Sequence, residues 1–250
     1  MKRRDFIVVP GAAIITMQCN AALAAFDIGG AIGAATEAAK AASLTDDEVR
    51  KYAAQMAGYS DKQARIAPGG DKYAQRLAAI TAGMTEDQGM KLNYKVYLTK
   101  EVNAFAMADG TIRFYSGLMD LMTDDELRYV AGHEMGHVKH GHTKKRMQTA
   151  LAASAAQKGV AASGTRAGAL ADTQLGSLIV QVVRAQHSQG NEREADDYAM
   201  QFMSRRKYDR KACVTALEKL DKMSGAGGAS WLSTHPSPRE RAERMRKQIA

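Results

Sequence analysis

The five residues His133-Glu134-Met135-Gly136-His137 constrain this chain more than any other feature. On an α-helix, positions i and i+4 share a face, so both imidazoles can reach one metal ion. Neutral imidazole is a good zinc ligand, and a catalytic zinc takes three protein ligands with a position left for water. Glu134 is then placed to accept a proton from that water, the arrangement of a metalloprotease. The flanking residues predict the helix this requires. Thr123-Asp124-Asp125-Glu126 has the form of a capping box, with Thr123 as N-cap and Glu126 at the third helical position. Leu127, Val130, Ala131 and Met135 follow as an apolar stripe at helical spacing, and Gly141 is a stop signal. The bland alternative, a helix with two solvated histidines, gives way only if the rest of the chain completes the site.

A third ligand must come from elsewhere. The histidines stand at 133, 137, 140, 142, 187 and 235, and no cysteine is suitably placed. The best candidate is acidic, in Asn191-Glu192-Arg193-Glu194-Ala195-Asp196-Asp197. Glu192 and Asp196 are four apart and share a helix face. A carboxylate beside a metal ligand can accept a hydrogen bond from the outer nitrogen of a metal-bound histidine, fixing its tautomer and raising its basicity. Glu192 as ligand with Asp196 as orienter therefore makes chemical sense, and Glu194 is the runner-up. His140 and His142 read as helix-end or supporting residues rather than ligands.

The first residues read as an export signal. Lys2, Arg3 and Arg4 precede an apolar run over residues 6–17, and Ala22-Leu23-Ala24 offers a small-residue cleavage site, the regions of a secretory signal peptide over residues 1–24. Arg3-Arg4-Asp5-Phe6-Ile7 resembles the twin-arginine export motif. A lipid anchor at Cys19 is disfavoured by Gln18 before it, and a membrane anchor by Pro10 and Gly11 within a short run. Cleavage near Ala24 leaves Cys213 as the only cysteine, a small core residue of a helix, so no intramolecular disulfide is expected despite an exported destination. The expected location is the periplasm, with peripheral contact to a membrane or an envelope complex allowed by the net charge of +8. Acidic residues are interspersed and no basic stripe carries aromatics, which argues against nucleic acid as a partner.

One metallopeptidase domain is expected over residues 25–250, with an N-terminal helical part at 25–90 and a catalytic core at 91–250. Thr45-Asp46-Asp47-Glu48 is a second capping box, opening a helix with Val49, Tyr52, Ala53 and Met56 on one side. A further helix is expected over residues 71–84, and residues 92–98 alternate at strand period. Residues 103–107 and 111–116 flank an Asp109-Gly110 turn signal and read as a hairpin. Between 142 and 190 the composition is small and polar, with Gly159, Gly164, Gly168 and Gly176 expected to break loosely packed helices. Clearer helices are predicted at 191–205, 210–223 and 238–248, the last opened by Ser237-Pro238-Arg239-Glu240 as a capping box.

Taken together, residues 132–137, the Glu192-x-x-x-Asp196 pair, the hairpin from Asn103-Ala104-Phe105-Ala106 through Asp109-Gly110 to Ser116-Gly117-Leu118, and His235-Pro236 with Arg241 resemble one family. It is the zinc endopeptidase family of CAAX prenyl proteases, HtpX, BepA and LoiP, and the likeness is greatest to its periplasmic LoiP-like members. The match runs in order from about residue 45 onward. One departure is Ala108, where many relatives have proline. The resemblance implies a mostly helical α+β, zincin-like (gluzincin) fold with a small antiparallel sheet beside the metal helix. It implies one Zn2+ per chain held by His133, His137 and Glu192, with Asp196 as orienter and Glu134 as catalytic base. It implies that Asn103, Ala104, Phe105 and Ala106 form an edge onto which extended substrate adds. It also implies that His235 can swing onto the metal as a blocking fourth ligand, with Arg241 as the motif arginine. The expected activity is hydrolysis of unfolded or misassembled cell-envelope proteins. The rival reading is a zinc-binding, chaperone-like protein whose site is closed and non-proteolytic.

Overall fold

The structure, a computed structural model, describes residues 39, 43–158, 172–224 and 230–249. The expected signal peptide, Cys19 and the glycines at 159, 164 and 168 lie outside the described residues. Ten helices and five strands are described: α1 Asp46–Gln63, α2 Lys72–Ile80, β1 Glu86–Asp87, β2 Met90–Lys91, β3 Asn93–Tyr97, β4 Ala104–Ala106, β5 Thr111–Tyr115, α3 Ser116–Leu121, α4 Asp124–Lys139, α5 His142–Lys158, α6 Asp172–Arg184, α7 Gln189–Arg205, α8 Lys211–Met223, α9 Ser230–Thr234 and α10 Pro238–Ile249. The protein is mostly helical with a small sheet, the α+β class that the resemblance implies, although the sheet is mixed and not antiparallel throughout.

Both Thr capping boxes form. Thr45 and Thr123 each accept from the backbone N–H three residues on, and Glu48 and Glu126 reach back to the cap. Glu126 does more than cap. Its carboxylate also accepts from Thr215 at 2.7 Å and from Lys219 at 2.6 Å, so the start of α4 is fastened to α8. Three expectations about the helices need correction. The helix predicted to 84 ends at Ile80, because Thr81 turns its hydroxyl back onto the Leu77 carbonyl and the chain curls so that Met84 enters the core. Ser237 enters α10 at φ +57, outside the extended conformation of a capping residue, although Pro238 does open the helix. Gly176 does not break a helix either. It lies inside α6, facing Tyr59 of α1.

The expected hairpin is present, with β4 antiparallel to β5 and Phe105 opposite Arg113. A third strand joins it from the other side: β3 runs parallel to β5, giving the order β3-β5-β4 and leaving β4 at an edge. The two faces of the sheet serve two hydrophobic clusters. Ala104, Ala106, Ile112 and Phe114 pack with α4, α7 and α8 around Leu127, Val130, Phe202 and Leu217. Phe105, Tyr97 and Met107 pack with α1, α5 and α6 around Met56, Met147 and Leu178. Arg113 of β5 is buried, and its guanidinium grips Asp61 of α1 at 2.8 and 3.0 Å, with Lys95 at 2.7 Å on the same carboxylate.

Among the described residues, the most extensive helix packing is that of α4 against α7. Gly132 and Gly136 make it so. A Cβ on Gly136 would stand 2.8 Å from the Ala195 Cα and 2.9 Å from its carbonyl oxygen, and one on Gly132 would stand 2.9 Å from Phe202. Two glycines one turn apart thus bring the backbone of α7 against the histidine-bearing helix. Among the described residues no helix is long and apolar enough to cross a membrane.

Candidate metal centre

His133, Glu134 and His137 lie in the middle of α4, all buried, and α7 presents Glu192 and Asp196 to them across the glycine contact. His133 Nε2 and His137 Nε2 stand 3.0 Å apart. Glu192 lies 3.6 Å from the first and 3.4 Å from the second. His235, just after α9, completes a group of four whose donor atoms all lie within 4.8 Å of one another.

The hydrogen bonds behind these rings decide what faces the centre. His133 Nδ1 contacts Asp196 Oδ1 at 3.0 Å, and a carboxylate only accepts, so Nδ1 carries the proton and Nε2 presents a lone pair. His142 Nε2 donates to Glu194 at 2.8 Å, which leaves its Nδ1 to accept from His137 Nδ1 at 3.0 Å. His137 Nε2 is therefore bare as well. His235 Nδ1 faces the Trp231 carbonyl at 3.2 Å, and its Nε2 is buried without a partner. Neither Glu192 oxygen has a hydrogen-bond donor, the Arg241 Nη1 contact lying outside hydrogen-bond geometry. Three bare imidazole nitrogens and a carboxylate converge with no hydrogen-bond donor of the surrounding residues aimed between them. Such a set repels itself unless a cation sits between its members, and nitrogen with carboxylate oxygen is the donor set of zinc.

The electrostatics agree. Burial pushes the His133 imidazole down to about 4, with the Arg241 charge adding to it, and burial lowers His137 and His235 further, so all three rings are neutral. Burial raises Glu192 to about 8, opposed by the charge of Arg241. Asp196 behaves oppositely. Burial alone would raise it, but Arg241 donates to both its oxygens, at 2.9 and 2.7 Å, and holds it well below the usual carboxylate range. Tyr129 donates to Asp196 at 3.0 Å. Glu134 is buried, and burial raises it to about 8 against the charge of Arg146. One of its oxygens is unpartnered and lies 3.6 Å from His235 Nε2.

The structure thus brings His133, Glu134, His137, Glu192, Asp196, His235 and Arg241 into one cluster, and it sets Ala104, Phe105 and Ala106 on the edge strand beside α4. Asn103, just before that strand, is buried, and its side chain accepts from the Ala104 N–H at 2.9 Å. Glu194, the runner-up ligand, stands outside the cluster, paired with His142. Sequence reasoning gave His187 and Arg146 no role. His187 stacks on His137 with ring centroids 3.7 Å apart and contacts Arg146 of α5. Its signal was slight: a histidine directly before the Ser188 N-cap of α7, five residues ahead of Glu192.

A helix that carries two histidines around a glutamate, closed by a second helix with Glu and Asp one turn apart, defines a metallopeptidase. Residues 71–249 match Peptidase family M48, and the chain belongs to that family. It is similar to metalloprotease LoiP of Escherichia coli (strain K12), 40% identical over 251 residues that cover 100% of this chain and 98% of that protein. It is similar also to metalloprotease YcaL of the same organism, 37% identical over 221 residues, 88% of this chain and 87% of that one. The beta-barrel assembly-enhancing protease of Escherichia coli is 31% identical over 166 residues, 60% of this chain and 34% of that protein.

Proposed function

We propose that this protein is an exported zinc-dependent endopeptidase that cleaves unfolded or misassembled cell-envelope proteins. The observation that carries the reading is the convergence of the bare His133 and His137 Nε2 atoms and the Glu192 carboxylate beside an unpartnered Glu134 oxygen. His133, His137 and Glu192 hold the metal. Asp196, fixed by Arg241 and Tyr129, keeps His133 in the ligating tautomer. Zinc, when bound, supplies the Lewis acid that polarises the scissile carbonyl and makes the attacking water more acidic. Glu134 takes the proton of that water and returns it to the leaving amine. Extended substrate pairs with β4 through backbone hydrogen bonds, which reads strand conformation more than side chains and so suits unfolded chains. Similarity to a beta-barrel assembly-enhancing protease supports the envelope as the place of action.

The deciding experiment measures zinc content and casein cleavage together on wild type and Glu134→Gln. The variant should keep one zinc and lose cleavage. A variant that keeps zinc and cleaves at the wild-type rate makes the closed, chaperone-like reading the better one. Export through residues 1–24 predicts that replacing Arg3 and Arg4 by lysine retains precursor in the cytoplasm, and normal export would refute the twin-arginine route. The mature chain, residues 25–250, then acts as one metallopeptidase domain.

The bare His235 Nε2 also supports a latch. Its Nδ1 is tied back to Trp231, and the indole stacks on the imidazole at 4.3 Å and 10°. With zinc held by His133, His137 and Glu192, His235 Nε2 would stand where it could take the place of the attacking water. His235→Ala should raise peptidase activity, and an unchanged or lower rate would remove the latch from the account.

A further inference from the structure

Each histidine N–H around the metal centre has an acceptor, with one exception. That of His133 goes to Asp196, that of His137 to His142, that of His142 to Glu194 and that of His235 to Trp231. His187 differs. Its Nε2 contacts Arg146 Nη1, and a guanidinium has donors only, so Nε2 must accept and the neutral ring carries its proton on Nδ1. That Nδ1 is buried and has no partner among the described residues. The ring is 4% exposed, stacked on His137 at 3.7 Å and 23°, and 5.1 Å from the His235 ring. Its position is fixed at both ends. The His187 backbone N–H donates to the Thr234 carbonyl at 2.9 Å, and Arg146 is itself held by the Val182 carbonyl of α6. A buried donor is costly to leave without an acceptor, which argues that one arrives during function.

We propose that His187 donates this hydrogen bond to the carbonyl oxygen of the scissile peptide, with Arg146 as the positioning residue that sets its tautomer. The assignment rests on the peptidase reading above. When water adds, its oxygen bonds to the carbonyl carbon, its proton passes to Glu134, and the carbonyl π pair moves onto oxygen. The Nδ1–H bond strengthens as that charge grows, and the Arg146 cation on the far side of the ring polarises it further. On collapse the C–N bond breaks, Glu134 returns the proton to the amine, and the carbonyl re-forms. His133, His137 and His235 cannot serve, because each turns a lone pair to the centre, and the His142 proton is taken by Glu194.

The test uses the zinc-loaded full chain and an internally quenched peptide drawn from a casein fragment that wild type cleaves. His187→Phe keeps the stacked ring and removes the donor. Its kcat should fall roughly 100–1000-fold, with KM and zinc content within about twofold of wild type. His187→Asn, whose amide can donate near the Nδ1 position, should recover about tenfold, and Arg146→Met should lower kcat by about tenfold without loss of zinc. Cleavage by His187→Phe within threefold of wild type, a loss that tracks lost zinc, or no recovery in His187→Asn would each overturn the assignment. Should the variants fail to fold, 15N imidazole shifts of the wild-type protein decide it, since a proton on His187 Nε2 contradicts the proposal directly. Glu134→Gln is run in parallel. If it keeps zinc and cleaves normally, the peptidase reading fails; if it is inert while His187→Phe is fully active, only the role of His187 fails.

Discussion

His133 and His137 stand one turn apart on α4, yet the walls behind them differ in kind. Behind His133 are Asp196, Tyr129 and Arg241, all buried, every contact made between α4, α7 and α10. Behind His137 are His142 and then Glu194, whose side chain is 58% exposed. The first wall is a closed charge network in which each member loses its partner if one is removed. The second is a short relay that ends in water. One imidazole is therefore anchored by the core, and the other hangs from a chain that solvent can replace. Binding strength and adjustability can reside in separate halves of one site.

Breaking the buried wall should have the largest effect. Asp196→Asn leaves Arg241 beside a neutral group and removes the orienter of His133, so metal affinity should fall roughly 10–100-fold and stability by about 3–5 kcal/mol. Competition with a chelator and thermal melting would check both, and a variant with wild-type affinity would show that the two walls are equivalent. Next comes the contact that sets the buried wall in place. Alanine in mid-helix would gain about 1 kcal/mol from propensity, but at Gly136 the new methyl meets backbone of Ala195 that cannot yield, and overpacking costs about 1–3 kcal/mol. Gly136→Ala should lower the Tm and the metal affinity together. A raised Tm would mean that α7 can move away freely.

The face of the sheet turned to α1 gives a pH-dependent comparison. Burial alone would raise Asp61, but Arg113, Lys95 and Tyr97 bring it down to about 2 from an unfolded value of 3.8. A depressed folded value means that its stabilisation is complete above pH 4 and is lost as pH falls from there toward 2. Melting of Asp61→Asn between pH 2 and 5 should lack that component, and an identical slope in wild type and variant would contradict it. The smallest effect is expected at the solvent end of the relay. Glu194→Gln should weaken metal binding only a few-fold, because water can accept the His142 proton. A loss as large as that of Asp196→Asn would erase the contrast between the walls.

What was legible follows the range of each interaction. His133 and His137, like Glu192 and Asp196, sit four residues apart, so helical periodicity alone puts each pair on one face. Thr45 and Thr123 announced their helices because a capping box is complete within four residues. The partners of those faces were not written locally. That Glu194 meets His142, or that Arg146 meets His187, depends on how α5, α6 and α7 pack, and single polar residues in a Gln- and Ser-rich stretch carry no period. The parallel β3–β5 pairing was hidden for the same reason: strand alternation in residues 92–98 says nothing about which neighbour the strand joins. Gly132 and Gly136 were read as part of a motif; their spacing against α7 shows that they act by what they lack. Cys213 was read as a small core residue, and the core does enclose it, pushing its thiol up to about 12.

Arg241 carries a consequence for the order of events during synthesis. It belongs to α10, more than a hundred residues after His133, and it is the cation that keeps Asp196 ionised against burial. Until α10 has docked, Asp196 is a buried carboxylate without its counter-charge and His133 has no fixed tautomer. A growing chain whose α4 has already emerged thus still lacks the guanidinium that pairs with Asp196. Residues 238–249 therefore have to dock before the Asp196–His133 contact takes its final form.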